Sequence, residues 1–170
     1  MLILGGARSG KTRRALDHAE RAFADDGLAP YYVATAQAFD EEMRQRIADH
    51  RAERGPHWTT LEAPMALAET VRAEAAAGRV LVIDCLTLWL TNQILAEADC
   101  EAAEDALLAA LDGAGGPVIA VSNEVGLGIV PENALARRFR DAQGRLNRRF
   151  AERAERVEFI AAGLPLVLKG

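Results

Sequence analysis

Lysine is almost missing from this chain: Lys11 and Lys169 are the only two in 170 residues, and arginine supplies the remaining positive charge. A lysine at position 11 is therefore hard to dismiss as a random surface residue. Cysteine is equally sparse. Cys85 and Cys100 show no metal-ligand or redox spacing and read as two buried, reduced thiols. No apolar run is long enough to cross a bilayer, because the longest, Val80 to Leu90, is too short and contains Asp84. No charged-then-apolar leader opens the chain, which starts on a core-like strand, so the expected location is the cytoplasm without membrane insertion. Linkers, repeats and low-complexity tracts are also lacking, and GAGGP at Gly113–Pro117 reads as a loop. A length of 170 residues with half of them hydrophobic then implies one domain, residues 1–170, with a real core. The net charge of −5 argues against nucleic acid as a partner.

What is present begins at the first residue. An apolar run, Met1 to Leu4, enters the turn GGARSGKT, and Gly5 to Thr12 match G-x-x-x-x-G-K-[ST] at every fixed position. The chemistry explains the spacing. Gly5 and Gly10 let the backbone curl, so that the N–H groups of Gly5, Gly6, Ala7, Arg8, Ser9 and Gly10 can turn toward phosphate oxygens. Lys11 adds a point charge for the β- and γ-phosphates, and the Thr12 hydroxyl is suited to Mg²⁺. A helix beginning near Gly10 aims its positive end at the same anion. The expected ligand is a nucleoside triphosphate; the motif alone does not say which reaction follows.

Helical and strand periods alternate along the chain. Leu2–Leu4, Tyr31–Ala34, Val80–Asp84, Val118–Ser122, Val157–Ala161 and Leu164–Leu168 read as strands. Lys11–Ala24, Asp40–Arg54, Pro64–Ala77, Leu86–Ala98, Ala102–Leu111 and Glu132–Glu152 read as helices. Near-continuous apolar strands indicate a sheet covered on both faces. The order implies an α/β fold, a mainly parallel sheet flanked by helices, with one antiparallel edge strand after the turn at Gly163. Ligands of such sheets sit beyond the carboxyl ends of the strands. That rule selects the phosphate loop, Ala34–Phe39, Asp84–Thr87 and Asn123–Pro131.

Asp84 closes the run VLVID. A carboxylate at the end of an apolar strand is the usual partner of a phosphate loop, holding Mg²⁺ directly or through water; the alternative is an N-cap for the helix from Leu86. Of the three histidines, His18 reads as solvated and His57 as a packed loop residue. His50 shares a helix face with Met43 and Ile47, and from pattern alone it reads as a core or helix-terminal histidine. Arg51 and Arg54 beside it suit either phosphate binding or a solvated face with Glu53. Asn123–Pro131 is too long and glycine-rich for a plain connector, which points to binding. The arginine-rich helix after it reads as a solvated basic face or an anion-facing surface.

Three ordered segments carry a resemblance: GGARSGKT at the start, YVATAQAFDEEMRQRIADHRAERGPHW from Tyr32, and NEVGLGIVPEN with ARRFRDAQGRLN after it. Together they resemble, over the whole chain, the bifunctional adenosylcobinamide kinases and adenosylcobinamide-phosphate guanylyltransferases of cobalamin synthesis. The resemblance implies a P-loop, recombinase-like fold. It also implies a covalent guanylyl-histidine at the histidine following the "RI" pair, here His50, which reverses the reading from pattern. Some members carry two adjacent histidines at that point, where this chain has Asp49–His50. The family's nucleotide-contacting positions fall on Gly5–Thr12, on Ala34, Thr35 and Ala36, on Arg51, Ala52, Glu53 and Arg54, and on Glu62 and Asp84. Lys11 and His50 would be catalytic, and Thr12 and Asp84 would hold Mg²⁺. GTP, ATP, adenosylcobinamide and its phosphate are the implied partners, and the assembly is a homotrimer.

A simple P-loop small-molecule kinase, which forms no covalent nucleotide, and a nucleotide-dependent switch module without corrinoid transfer are the rival readings.

Overall fold

The computed structural model describes residues 1–37 and 54–170. Seven strands form one sheet: β1 (Leu2–Gly5), β2 (Ala29–Ala34), β3 (Thr59–Glu62), β4 (Arg79–Asp84), β5 (Val118–Asn123), β6 (Val157–Ala161) and β7 (Leu164–Lys169). Their order is β3-β2-β4-β5-β1-β6-β7. All neighbours are parallel except β6 and β7. Among the described residues there are five helices: α1 (Lys11–Asp26), α2 (Leu67–Glu74), α3 (Leu86–Leu95), α4 (Cys100–Asp112) and α5 (Ala134–Arg153). The expected α/β sheet with one antiparallel edge strand is what forms.

The alternation within each strand divides the core in two. Ile3, Val80, Val82, Ile119, Val121 and Ile160 face α1, meeting its Ala15, Leu16 and Ala19. Leu2, Leu4, Leu81, Ile83 and Ala120 face the other way, onto Leu67 and Val71 of α2, Trp89 and Leu90 of α3, Leu107 of α4 and Leu146 of α5. Both faces of β1 and β4 are thus apolar, and full burial of each such side chain contributes about 1.5–3 kcal/mol.

Several expected boundaries shift, each for a local reason. The helix read from Pro64 starts only at Leu67, because side chains from α3 take the carbonyls before it. Asn92 donates to Pro64 O at 3.0 Å, and Trp89 and Gln93 donate to Met65 O at 3.2 and 3.0 Å. The helix read from Glu132 starts at Ala134, since the Asn133 side chain accepts from the Leu135 and Ala136 amides and so caps it. Asp84 does not cap α3: the flanking position is Cys85, with no side-chain cap. β3 was not expected from sequence. Its residues are mostly exposed at the sheet edge, so it lacks the apolar run that marks the buried strands. The segment read as a helix over Asp40–Arg54 lies, apart from Arg54, outside the described residues.

The basic face of α5 is also not bare. Arg149 donates to Glu104 at 3.1 Å and pairs with Asp105, Arg145 lies 3.6 Å from Glu104 and from Glu101, and Arg153 pairs with Asp112 at 3.3 Å. These arginines bind the acidic face of α4, so they hold two helices together rather than await an anion.

Candidate active site

Gly5 ends β1 with φ 155°, and a Cβ there would lie 2.5 Å from the Ile160 carbonyl oxygen of the neighbouring strand. Gly10, with φ 98°, turns the chain into α1. Only glycine satisfies both demands. Between them Gly6, Ala7 and Arg8 are exposed, and Ser9 is half-buried. Arg8 itself takes a left-handed φ of 55°. The loop is braced from the far side, where the amide of Gly163, in the β6–β7 turn, donates to Ser9 O at 3.0 Å. Lys11 is 7% exposed despite its charge, and its Nζ donates to Gly6 O at 2.5 Å, so the ammonium is held against the loop's own backbone.

Strand register brings the other ends to the same rim. Ala34 pairs with Glu62 on one side and with Asp84 on the other. Asp84 belongs to β4, separated from β1 by β5, and its Oδ2 crosses that gap to accept from Thr12 Oγ1 at 3.1 Å. The same oxygen accepts from the Tyr32 hydroxyl at 2.6 Å. Burial, with the Asp84 charge beside it, pushes the Tyr32 phenol far above its ordinary value, so it stays a donor. Burial, and then Asp84, also raise the Cys85 thiol to about 11, which keeps it protonated and inert. The Arg54 guanidinium lies 3.7 Å above the Tyr32 ring, and its Nη2 donates to Thr60 at 3.3 Å.

The expected residues thus divide. The phosphate loop, Ala34, Arg54 and Asp84 converge, and Glu62 lies exposed at the same sheet level. Thr35 does not present its side chain: it is fully buried, donating to Cys85 O at 2.7 Å and accepting from the Cys85 amide at 2.8 Å. Its role is to shape the end of β4. Ala36 is half-buried beyond it. His50, Arg51, Ala52 and Glu53 lie outside the described residues. The other histidines are held by carboxylates. His57 bonds to Glu20 at 3.0 Å and stacks on Phe23, while His18 lies 3.4 Å from the fully buried Glu158. His18 is therefore half-buried and paired rather than solvated as expected. Its pKa is lowered by burial and by the Arg14 charge.

Tyr32 is a residue of this rim that the sequence reading did not single out. It shares a strand face with Ala34, as Val82 does with Asp84, but only the β2–β4 register reveals that these faces align.

Beneath the Asn123–Pro131 loop lies a buried polar network. Ser122 donates to Asn147 at 2.6 Å, Gln143 donates to both, and Asn147 donates to Asn123 O at 3.0 Å. The root of the loop is pinned, while Leu127, Ile129 and Val130 stand exposed, Ile129 at 96%. The loop is thus less polar in what it shows than its glycines and Glu124 suggest.

The Thr12 hydroxyl and the Asp84 carboxylate bring oxygen atoms together at this contact, and no group of three or more His, Cys, Asp or Glu side chains gathers to hold a metal among the described residues. That fits Mg²⁺, which takes one or two protein oxygens and fills its shell with water and phosphate. No described helix is long and apolar enough to cross a membrane.

Comparisons with known proteins show the family. The family model described as cobinamide kinase / cobinamide phosphate guanyltransferase matches residues 1–168. The chain is 56% identical over 171 residues to the bifunctional adenosylcobalamin biosynthesis protein CobP of Pseudomonas aeruginosa, covering 99% of this chain and 96% of that protein. It is 39% identical over 184 residues to the bifunctional adenosylcobalamin biosynthesis proteins CobU of Escherichia coli and of Salmonella typhimurium, covering 99% of each chain. A phosphate loop and a strand-end carboxylate meeting across an intervening strand are the nucleotide machinery such an enzyme needs, and this chain belongs to the cobinamide kinase / cobinamide phosphate guanyltransferase family.

Proposed function

We propose that one domain, residues 1–170, carries out both reactions of its family on adenosylcobinamide. In the first, the substrate hydroxyl attacks the γ-phosphate of ATP or GTP. In the second, His50 attacks the α-phosphorus of GTP and expels pyrophosphate, and the substrate phosphate then displaces the histidine to give adenosylcobinamide-GDP. The observation that supports this most directly is the convergence of Lys11, Thr12, Asp84 and Arg54 at one rim of the sheet.

Each group has a task its surroundings suit. The loop amides, Lys11 and the positive end of α1 bind the triphosphate and disperse the charge that develops during transfer. The Thr12 hydroxyl donates its hydrogen bond to Asp84, which leaves its lone pairs for a cation, so Thr12 and Asp84 would hold Mg²⁺. When bound, the ion neutralises phosphate charge. Gly5, Gly6, Ala7, Arg8, Ser9 and Gly10 supply the backbone cradle. Ala34, Ala36 and Glu62 line the approach beside it, Thr35 fixes the end of β4 behind them, and Arg51, Ala52, Glu53 and Arg54 contact the nucleotide beside His50. A neutral imidazole is a good nucleophile near its pKa, and the phosphoramidate it forms is labile enough to pass GMP on.

The protein works in the cytoplasm as a homotrimer. Leu127, Ile129 and Val130 on one loop, and Leu164, Leu166 and Leu168 on β7, are the exposed apolar surfaces that support assembly.

Mass spectrometry after mixing with GTP and Mg²⁺ tests the proposal. A gain of one GMP supports the guanylyl-histidine, and transfer of that label to adenosylcobinamide phosphate completes the cycle. Phosphoryl transfer without any covalent nucleotide would favour the simple kinase, and binding with slow hydrolysis alone would favour the switch module.

A further inference from the structure

Asp84, Arg54 and Trp58 meet on the side chain of Tyr32. The Tyr32 hydroxyl donates to Asp84 Oδ2 at 2.6 Å, the same oxygen that accepts from Thr12 at 3.1 Å. The face of the ring carries the Arg54 guanidinium at 3.7 Å. Trp58 abuts the ring at an interplanar angle of 74°, with centroids 6.5 Å apart, and Tyr32 is only 5% exposed. The ring is therefore fixed on several sides, and one side chain makes both contacts.

From this we infer that Tyr32 is a positioning residue that couples the two halves of the site. Its hydroxyl sets the carboxylate of Asp84 against Thr12 at the phosphate loop. Its ring face holds Arg54, the last residue of the segment after His50, over the same spot. One ring touching both groups keeps the Asp84 carboxylate and the Arg54 guanidinium at the same rim of the sheet. The inference rests on the proposed roles of Asp84 and Arg54.

The two contacts separate by substitution. Tyr32→Phe keeps the ring beneath Arg54 and deletes only the hydroxyl. Tyr32→Leu removes both. Equilibrium binding of a non-hydrolysable GTP analogue with Mg²⁺ is the readout, with the rate of GMP labelling beside it. Loss of one hydrogen bond to a charged acceptor weakens binding by about ten-fold in Tyr32→Phe. Loss of the cation–π contact adds about two- to five-fold in Tyr32→Leu. In an Asp84→Ala background Tyr32→Phe has no further effect, and in an Arg54→Met background the difference between Phe and Leu at position 32 disappears. A merely structural tyrosine would instead give the same loss in every background, and that result overturns the inference. Wild-type binding by Tyr32→Phe alongside impaired Asp84→Ala overturns it too, while leaving the role of Asp84 intact. A silent Asp84→Ala removes both. Tyr32→Phe is nearly isosteric, and a melting curve checks that it folds; should Tyr32→Leu not fold, the Tyr32→Phe and Asp84→Ala cycle decides alone.

Discussion

Glu158 offers the sharpest test of how the phosphate-loop helix is anchored. It is fully buried on β6, yet charged. Arg14, one turn into α1, grips it with two bonds of 2.7 and 3.0 Å, and Arg156 adds another at 2.9 Å. The hydrogen bonds from Arg14, then those from Arg156, outweigh desolvation and hold the carboxyl at about 2, down from 4.5. At 1.36 kcal/mol per pKa unit, that difference is worth roughly 3 kcal/mol of stability. Since the folded state binds this proton less tightly than the unfolded one, the contribution is complete above pH 4.5 and disappears as pH falls toward 2. Glu158→Gln abolishes it. Urea denaturation from pH 7 to pH 3 should therefore show wild type more stable by about 3 kcal/mol at neutral pH, with the gap narrowing steadily below pH 4.5. A gap that stays constant across this range would refute the electrostatic account and leave only packing.

Four further outcomes follow from the site. Lys11→Ala should reduce both transfers on the order of a hundred-fold or more with the melting curve unchanged, read by phosphate and GMP transfer rates. Asp84→Asn should raise the Mg²⁺ concentration needed for half-maximal transfer, measured by titration at fixed GTP; an unchanged requirement would remove Asp84 from the cation's surroundings. His50→Ala should lose the acid-labile, alkali-stable GMP label while His18→Ala and His57→Ala keep it, and part of the kinase activity should persist. Because the folded state lowers the pKa of His18, the unfolded chain takes up that proton first as pH drops through 6.5, and wild type loses stability there. His18→Gln should flatten that part of the denaturation profile.

The parts of the site visible in the sequence are those made by contiguous residues. The phosphate loop is local, because Gly5, Gly10, Lys11 and Thr12 act through neighbouring backbone. Asp84 was legible because an apolar strand ending in a carboxylate is itself a pattern. Tyr32 and Glu158 were not, since each matters through a partner fixed by strand register or by helix docking. Glu158 interrupts an apolar strand and would pass for a solvent-facing position until Arg14 is placed opposite it. The sheet was readable wherever a strand carries an apolar run, at the exposed edge β7 as in the centre, and failed at the edge β3, whose Thr59–Glu62 has none. Arg145 and Arg149 of α5 could not be told from its solvated Arg148 in sequence, because charge on a helix face looks the same whether it meets water or the acidic helix α4.

The place of β1 in the sheet has a consequence for how the protein is made. Its two neighbours are β5, where Ile3 pairs with Val121, and β6, where Ile3 pairs with Glu158. The ribosome delivers β1 first and both of its partners more than a hundred residues later. The Gly163 amide that braces Ser9 comes later still. Contacts of such long range close slowly and leave the early segment exposed in the meantime. Until then, the residues that spell out a nucleotide site lack the strand partners and the Gly163 brace that hold the loop. A triphosphate that binds the folded loop stabilises only those copies in which these supports have already closed.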